Sequence, residues 1–178
     1  MNFSTLFSGT LSWLTLAGQV LTLVLIITLA FSKKDNRLMT LIRRHGMTFA
    51  FIVALISTLG SLTYSDILML QPCKLCWFQR IAMYPEAIIL GVGLYIKDRN
   101  ATLYALVLAL IGLPIALYHY LEQVGFVPAT CSTVGYSVSC AKIFTMNLGY
   151  ITIPLMAFTA FLLNILFILI YRDGKRVA

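Results

Sequence analysis

Five long apolar stretches constrain the fold of this chain more than any other feature. They cover residues 8–31, 47–64, 76–96, 101–121 and 149–171. A helix that crosses the hydrocarbon core of a membrane needs about 20 mostly apolar residues, and each stretch approaches or exceeds that length. The third stretch is the least apolar, because it contains Arg80, Pro85 and Glu86. The sequence therefore predicts an all-α fold, a polytopic bundle of five transmembrane helices that forms a single membrane domain.

The composition excludes the water-soluble classes of protein. Of the 178 residues, 60% are apolar and 11% are charged, whereas soluble domains have about 45–50% apolar and about 25% charged residues. So little polar surface argues against a cytosolic enzyme, a disordered protein and a small disulfide-rich secreted domain. The net charge of +7 is compatible with nucleic-acid binding, but the positions of the basic residues favour a different role.

The basic residues predict the orientation of the helices. If five helices alternate, ten of the 13 lysine and arginine residues fall on one side of the membrane. These ten are Lys33, Lys34, Arg37, Arg43 and Arg44 in the first loop, Lys97 and Arg99 in the third loop, and Arg172, Lys175 and Arg176 in the tail. Basic loops stay cytoplasmic, so we expect the N-terminus outside and the C-terminus in the cytoplasm. The positive charge then contacts membrane lipid, and no nucleic-acid partner is expected.

The first stretch is predicted to be a retained helix rather than a cleaved signal peptide. Residues 1–10 contain no charged side chain, and the basic cluster follows the apolar stretch. A signal peptide has the opposite order, with a basic segment ahead of a shorter apolar core.

All four cysteines fall in or at the edge of the two predicted external loops, residues 65–75 and 122–148. They are Cys73 and Cys76 at the first loop, and Cys131 and Cys140 in the second. Disulfides persist outside the cytoplasm, and an even number of external cysteines indicates two pairs. Proximity within each loop favours the pairs 73–76 and 131–140, although spacing does not prove the connectivity.

Cys73 and Cys76 form a Cys-x-x-Cys pair where the third helix is predicted to begin. A disulfide that closes so small a ring stabilises a fold little, so thiol exchange is the better interpretation. The helix N-terminus, Lys74 and Arg80 all favour a thiolate, which is both a nucleophile and a leaving group. Cys76 and Arg80 are four residues apart and share one helix face. Two alternatives stay open, a zinc site built from four cysteines and a pair of inert structural disulfides.

The sequence around this pair resembles the signature of a known family. Residues 72–80, Pro-Cys-Lys-Leu-Cys-Trp-Phe-Gln-Arg, are followed by Met-Tyr-Pro at 83–85. This pattern is similar to that of the DsbB/BdbC family of disulfide bond formation proteins, and the resemblance covers roughly residues 70–171. It implies a thiol:quinone oxidoreductase of the bacterial cytoplasmic (inner) membrane with a four-helix catalytic core.

The resemblance also implies a partner, an electron acceptor and roles for the four cysteines. The partner would be an extracytoplasmic thioredoxin-fold thiol oxidase, similar to DsbA, and the acceptor a membrane quinone, either ubiquinone or menaquinone. Cys131 and Cys140 would face the partner, with Cys131 forming the mixed disulfide. Cys73 and Cys76 would reoxidise that second pair, and Cys76 would face the quinone.

Two further residues are predicted to bind the quinone. Arg80 matches the family arginine placed near the quinone ring, where a cation can stabilise the Cys76 thiolate and developing charge on a quinone oxygen. His119 lies near the position of a family histidine close to the quinone, and it can form a hydrogen bond or transfer a proton. The alternative for His119 is an interfacial histidine beside Tyr118 and Tyr120. No bound metal is expected.

Glu86 lies in the middle of the third stretch. An acidic residue at the bilayer centre is costly and is a functional candidate by default, here as a proton route for quinone reduction. The favoured interpretation is a carboxyl group that is hydrogen-bonded within the bundle, because polar residues also join membrane helices.

Two features differ from the best-known members of the family, and two other functions are alternatives. Those members have four helices, so the extra first helix has no counterpart, and they have a longer gap between the loop cysteines. An enzyme of the vitamin K epoxide reductase type would place its Cys-x-x-Cys pair on the last core helix, whereas here the pair precedes the third helix of five. A membrane scaffold with structural disulfides would have a pair that resists mild reductants.

Overall fold

The computed structural model describes residues 3–31, 37–128 and 139–176 of the chain. They form five α-helices, which are α1 (Phe3–Phe31), α2 (Arg37–Leu62), α3 (Lys74–Ile96), α4 (Ala101–Gln123) and α5 (Ile153–Arg176). Within these ranges there is no β-strand, and the only bridge joins Asn147 and Ile151. The predicted all-α fold of five helices is confirmed.

Among the described residues, four helical segments are long and apolar enough to cross a membrane. They are α1, α2 together with the π-helical turn that extends it to Ile67, α4, and α5 as far as Gly174. The third helix, α3, is outside this set because Gln79, Arg80 and Glu86 lower its mean hydropathy. It is nevertheless 23 residues long and packs inside the bundle, so the chain is a helical membrane protein.

Helices α2 to α5 form a four-helix bundle. Each packs on two neighbours, since α2 contacts α3, α3 contacts α4, α4 contacts α5, and α5 returns to α2. Helix α1 lies outside this ring and packs mainly against α5. The helix that precedes the predicted catalytic core is therefore an addition to a complete bundle.

Small residues allow the helices of the bundle to approach closely. A β-carbon added at Gly112 of α4 would overlap the ring of Phe161 of α5. A β-carbon at Gly46 of α2 would lie 2.7 Å from the backbone oxygen of Phe167. Close backbone approach at glycine is a common way to pack membrane helices, where the hydrophobic effect does not drive association.

The structure corrects the predicted position of three basic residues. Arg37, Arg43 and Arg44 were expected in a loop, but they lie in the first two turns of α2, which begins ten residues before the predicted apolar stretch. No glycine or proline interrupts residues 37–45, so the helix continues beyond the segment that is apolar enough for a membrane.

Basic residues from several helices gather at the same end of the bundle. Arg43 at the start of α2 forms an ion pair of 3.6 Å with Asp173 at the end of α5. Arg172 donates a hydrogen bond of 3.1 Å to the hydroxyl of Thr102 at the start of α4. The cysteine pair at the start of α3 lies at the opposite end.

Candidate redox site at the start of α3

The Cys-x-x-Cys pair is built into the N-terminus of α3. Cys73 is the N-cap residue, with an extended backbone (φ −74°, ψ 177°), and its sulfur accepts a hydrogen bond of 3.5 Å from the backbone N–H of Cys76. Its carbonyl accepts a hydrogen bond of 3.1 Å from the N–H of Trp77. Pro72 ends the preceding segment and needs no partner for a backbone N–H. Both sulfurs therefore lie where the partial positive charge of the helix end favours a thiolate.

The two sulfurs are unequal. The Cys73 thiol donates a hydrogen bond to the sulfur of Cys76 over 3.3 Å, and Cys73 is buried whereas Cys76 is half-buried. The hydrogen bond to Cys76, together with burial, raises the pKa of the Cys73 thiol to about 12. The proton of the reduced pair therefore stays on Cys73. Negative charge is better placed on Cys76, which also feels the positive charge of Arg80.

Arg80 is held in place by the end of α2. Its Nε donates to the hydroxyl oxygen of Ser61 at 3.0 Å, and its Nη2 donates to the carbonyl oxygen of Ser61 at 3.2 Å. The Tyr84 hydroxyl donates to the same Ser61 hydroxyl oxygen at 3.2 Å. The guanidinium carbon lies 5.4 Å from the centre of the Trp77 ring, a distance that allows a cation–π interaction. The charge is thus fixed on the helix face that contains Cys76.

A cavity of about 360 Å³ lies beside this face. Residues of α1, α2, α3 and α5 line it, and Cys76, Arg80 and Tyr84 are among them. Most of its wall is apolar, with Ser61 and Gln79 among the polar exceptions. A mainly apolar cavity with a few convergent polar groups is typical of a site for a small organic molecule.

His119 of α4 connects the two cysteine segments. It is 1% exposed. The amide Nε2 of Gln79 and His119 Nδ1 are 2.9 Å apart, so the amide donates and Nδ1 accepts. The imidazole proton is then on Nε2, which donates to the backbone carbonyl of Cys140 at 3.1 Å and lies 3.6 Å from the Cys73 sulfur.

Cys140 therefore lies next to the Cys-x-x-Cys pair. It is 1% exposed. A small pocket of about 20 Å³ is lined by Cys73, Cys76, His119 and Cys140 together. One cysteine of the predicted second pair thus reaches the first pair, while Cys131 is outside the described residues.

The structure separates the two residues predicted to bind quinone. Arg80 lines the large cavity with Cys76, whereas His119 lines the small pocket beside Cys73 and Cys140. Among the described cavity-lining residues, His119 does not occur. The His119 side chain is buried and forms hydrogen bonds with Gln79 and with the backbone of Cys140.

Glu86 is hydrogen-bonded inside the bundle. Its Oε1 accepts a hydrogen bond of 2.9 Å from Asn164 of α5, and both side chains are fully buried. The described lining of the large cavity does not include either residue. The contact is of the kind favoured from the sequence, a carboxyl group that joins two helices.

Sequence reasoning gave no role to two residues that organise the site, Gln79 and Ser61. Gln79 stands three residues after Cys76, so helical periodicity would have placed the two on neighbouring positions of one face. Ser61 gives no such signal, because its contact with Arg80 joins positions 19 residues apart. Only the packing of α2 against α3 reveals it.

Three side chains at the site could hold a metal ion. The sulfurs of Cys73 and Cys76 and a ring nitrogen of His119 all lie within 4.8 Å of one another. A closed structural zinc site needs four ligands, and Cys140 lines the same small pocket. The described residues thus offer a zinc site that includes His119, whereas the four-cysteine alternative includes Cys131, which is outside the described residues.

Comparisons with known proteins point to one family. The family model "Disulfide bond formation protein DsbB" matches residues 43–171, a range that includes α3, α4 and all four cysteines. No solved structure matches the chain. The match favours this family over the vitamin K epoxide reductase type.

Individual relatives agree with the family match. The chain is 39% identical over 138 residues to "Probable disulfide formation protein C 2" of Bacillus anthracis, which covers 78% of this chain and 98% of the relative. It is 45% identical over 113 residues to "SPbeta prophage-derived disulfide bond formation protein B" of Bacillus subtilis, covering 64% and 76%. It is 37% identical over 143 residues to "Probable disulfide formation protein" of Coxiella burnetii, covering 78% and 96%.

Proposed function

This chain belongs to the DsbB family of disulfide bond formation proteins, and from that premise we propose that it is a thiol:quinone oxidoreductase. It takes two electrons from a reduced thioredoxin-fold oxidase outside the cytoplasm and passes them to a membrane quinone. The oxidase then introduces new disulfides into exported proteins. The family implies an oxidoreductase; the DsbA-like partner and the quinone are our proposal.

One observation carries the proposal, the position of Cys76 between two spaces. On one side, Cys76 lines the small pocket that also contains Cys73 and Cys140. On the other side, it lines the large cavity together with Arg80. Reduced Cys140 can therefore exchange with the 73–76 disulfide at Cys73. Cys76 can then pass the electrons to a ligand in the cavity.

The reaction proceeds by thiol–disulfide exchange in steps that balance. A partner thiolate attacks Cys131 of the 131–140 disulfide, and Cys140 leaves as a thiolate. The second partner thiolate resolves the mixed disulfide, which oxidises the partner and leaves the loop pair reduced. The Cys140 thiolate then attacks Cys73 of the 73–76 disulfide, and Cys76 leaves as a thiolate.

The remaining steps restore both disulfides. Cys131 attacks the bond between Cys140 and Cys73, which re-forms 131–140 and releases Cys73 as a thiol. The reduced 73–76 pair gives two electrons to the quinone as its disulfide re-forms, and two protons complete the quinol. In sum, one partner dithiol and one quinone become one partner disulfide and one quinol.

Two side chains, Arg80 and His119, support these steps from fixed positions. Arg80, held by Ser61, stabilises negative charge on Cys76 and on the quinone oxygen as it is reduced. His119 joins the loop to the pair, because its Nε2–H donates to the carbonyl of Cys140 and lies near the Cys73 sulfur. This arrangement aligns Cys140 for attack on Cys73.

We propose that the site faces the outside of a bacterial inner membrane. The basic residues at the start of α2 and the end of α5 lie at the opposite end of the bundle from the cysteines. Because basic segments stay cytoplasmic, this end faces the cytoplasm and the site faces the compartment where disulfides form.

Trapping the contact between the loop and the pair tests the path. In a Cys76→Ser variant Cys73 is a free thiol that can attack Cys140 of the 131–140 disulfide, and Cys131 leaves as a thiolate. Alkylation with N-ethylmaleimide under anaerobic conditions, without partner, blocks the released Cys131 and traps the Cys73–Cys140 bond. We expect mass spectrometry of nonreduced peptides to find this bond, and a Cys76→Ser/Cys140→Ser double variant to lack it. A Cys76→Ser protein that keeps the 131–140 disulfide and an alkylated Cys73 would contradict the path.

A second candidate function, zinc sensing, rests on the grouping of Cys73, Cys76 and His119 within 4.8 Å. It predicts zinc at one ion per chain in anaerobically purified protein and a fall in melting temperature after chelation. The redox function predicts turnover that a chelator leaves unchanged. Metal analysis and a thermal melt of the same sample separate the two.

A further inference from the structure

We infer that α1 forms one wall of the quinone site and contacts the isoprenoid chain of the bound quinone. This inference rests on the proposed function, since it takes the ligand of the large cavity to be a quinone. Helix α1 ends at Phe31, so it lies wholly outside residues 43–171 that match the family. Its contribution to the site is therefore an addition of this chain to the family core.

The contact between α1 and the cavity is extensive. Six α1 residues line it, namely Leu11, Leu14, Thr15, Ala17, Gly18 and Leu21. At a rise of about 1.5 Å per residue, the ten steps from Leu11 to Leu21 span about 15 Å along the helix. A cavity lined over that length is elongated along the helices, as an isoprenoid chain requires.

The cavity changes character along its length. Near the start of α3 it contains Cys76 and Arg80, the groups proposed to react with the quinone ring. Deeper in the bundle its wall includes Leu21, Leu163 and Phe167, which offer only apolar surface. A ligand with a polar ring at one end and an apolar chain at the other matches this order.

Direct contacts hold α1 in register with the site. Gly18 lies so close to α5 that an added β-carbon would meet Leu163 at 3.1 Å and Thr159 at 3.3 Å. Near the N-terminus of α1, the Asn147 side chain donates to the carbonyl of Ser8 at 3.2 Å and to the Ser12 hydroxyl at 2.9 Å. Helix α1 is thus fixed both to α5 and to the segment that follows Cys140.

The α1 side of the cavity also avoids unpaired polar groups. Thr15, the lining residue of α1 that bears a hydroxyl, donates it to the carbonyl of Leu11 in its own helix at 2.8 Å. An isoprenoid chain offers no hydrogen-bonding partner, so a wall that satisfies its own polar groups suits it.

Two tryptophan variants of α1 provide a matched test. Leu14 lines the cavity and is 51% exposed, whereas Val20 is 57% exposed and is absent from the described lining. Leu14→Trp adds bulk to the wall, and Val20→Trp adds similar bulk to the outer surface of the same helix. The substrates are a ubiquinone with two isoprene units and the same ring without a chain.

The variants should differ in their response to the chain of the quinone. With Leu14→Trp we expect the KM for the two-isoprene quinone to rise about tenfold, a typical effect of a misfit in an apolar site. The KM for the chainless ring should stay the same, and Val20→Trp should change neither value. Equal KM values for Leu14→Trp and wild type with both quinones would overturn the inference.

A binding experiment without turnover separates this inference from the proposed function. A two-isoprene quinone with a photoreactive chain should label α1 peptides of the wild-type protein, and Leu14→Trp should reduce the labelling. Labelling of α1 without any quinone reduction would overturn the proposed function and leave the role of α1 standing. Quinone reduction with labels only on α2 to α5 would overturn the role of α1.

Discussion

The side-chain amide of Gln79 donates a hydrogen bond of 2.9 Å to Nδ1 of His119, across the interface between α3 and α4. This bond decides which ring nitrogen has the proton. Nε2 then donates to the carbonyl of Cys140 and lies 3.6 Å from the Cys73 sulfur. Gln79 forms no described hydrogen bond with the loop that contains Cys140. Through His119 it nevertheless determines how this loop contacts the Cys73–Cys76 pair.

Removing the Gln79 amide should slow electron transfer between the two pairs. In Gln79→Leu the imidazole loses the partner that fixes its proton, and a buried Nδ1 is left unpaired. We expect reduction of the 73–76 pair by the loop to slow about tenfold, equivalent to about 1.4 kcal/mol. Single-turnover mixing with reduced partner in the absence of quinone, followed by acid quench and alkylation, measures this step.

The control for that variant is Gln19→Leu. Gln19 is a hydrogen-bonded glutamine of α1, whose Oε1 accepts from the Tyr150 hydroxyl at 2.8 Å. The Gln19→Leu variant should reduce the 73–76 pair at the wild-type rate. In Gln79→Leu, the mixed disulfide between Cys131 and the partner should still form at the wild-type rate. A Gln79→Leu protein that reduces the 73–76 pair at full speed would show that the bond does not position His119.

The Ser61 hydroxyl should matter for quinone affinity through Arg80. Ser61→Ala removes the acceptor of Arg80 Nε and of the Tyr84 hydroxyl, while the backbone acceptor of Nη2 stays. We expect the KM for quinone to rise about fivefold, equivalent to about 1 kcal/mol, the net contribution of a typical hydrogen bond. Ser57→Ala is the matched control, because Ser57 lines the same cavity one turn earlier on α2. Similar KM values for the two variants would contradict the role of Ser61.

Alkylation of the reduced pair should depend on pH in a way that separates its two thiols. The pKa of Cys73 is raised from its usual value of 9.0 to about 12. Its thiolate fraction, and with it the rate of iodoacetamide modification, should keep rising with pH beyond 9. At pH 8 we expect Cys76 to react first, as mapped by mass spectrometry under anaerobic conditions. Faster labelling of Cys73 at that pH would contradict the assignment.

Two variants identify the cause of the raised pKa. Cys76→Ala removes the hydrogen bond that is its largest cause, so the pKa of Cys73 should fall and its labelling at pH 8 should rise at least about tenfold. Cys76→Ser keeps an acceptor at the same position and should give a smaller increase. Labelling of Cys73 at the wild-type rate in both variants would assign the raised pKa to burial alone.

Glu86 should contribute to the fold rather than to a proton route. Its carboxyl group is bonded to Asn164 and lies outside the described lining of the cavity. We expect Glu86→Gln to keep quinone turnover within about twofold of wild type, since an amide can replace the carboxyl in this contact. Asn164→Leu should lower the melting temperature, because it leaves a buried carboxyl unpaired at a cost of about 1–3 kcal/mol. Loss of turnover in Glu86→Gln would restore the proton route.

Most of the architecture could be predicted from the sequence because the membrane allows few solutions. Long apolar stretches must become helices, since backbone groups have no other partner in lipid. The prediction failed at Arg43 and its neighbours, where helical structure continues past the apolar stretch. Hydropathy indicates which residues can lie in the membrane. The end of a helix depends instead on helix-breaking residues, and residues 37–45 contain no glycine or proline.

The site could be predicted in its local part only. Cys73, Cys76 and Arg80 lie within eight residues, so helical spacing was enough to place them together. The contacts of His119 with Cys73, 46 positions away, and of Gln79 with His119, 40 positions away, arise from how α3 packs on α4. A single sequence contains no signal for such pairs. For the same reason, it does not predict that α1 lines the large cavity.

The most direct test of the account is the loss of quinone absorbance during anaerobic turnover with a reduced thioredoxin-fold oxidase. The detergent-solubilised protein should consume one quinone for each partner disulfide formed. Cys76→Ser and Cys131→Ser should each abolish this loss, because every electron passes through both pairs. Quinone consumption that persists in Cys76→Ser, or wild-type protein that binds the partner and consumes no quinone, would contradict the account.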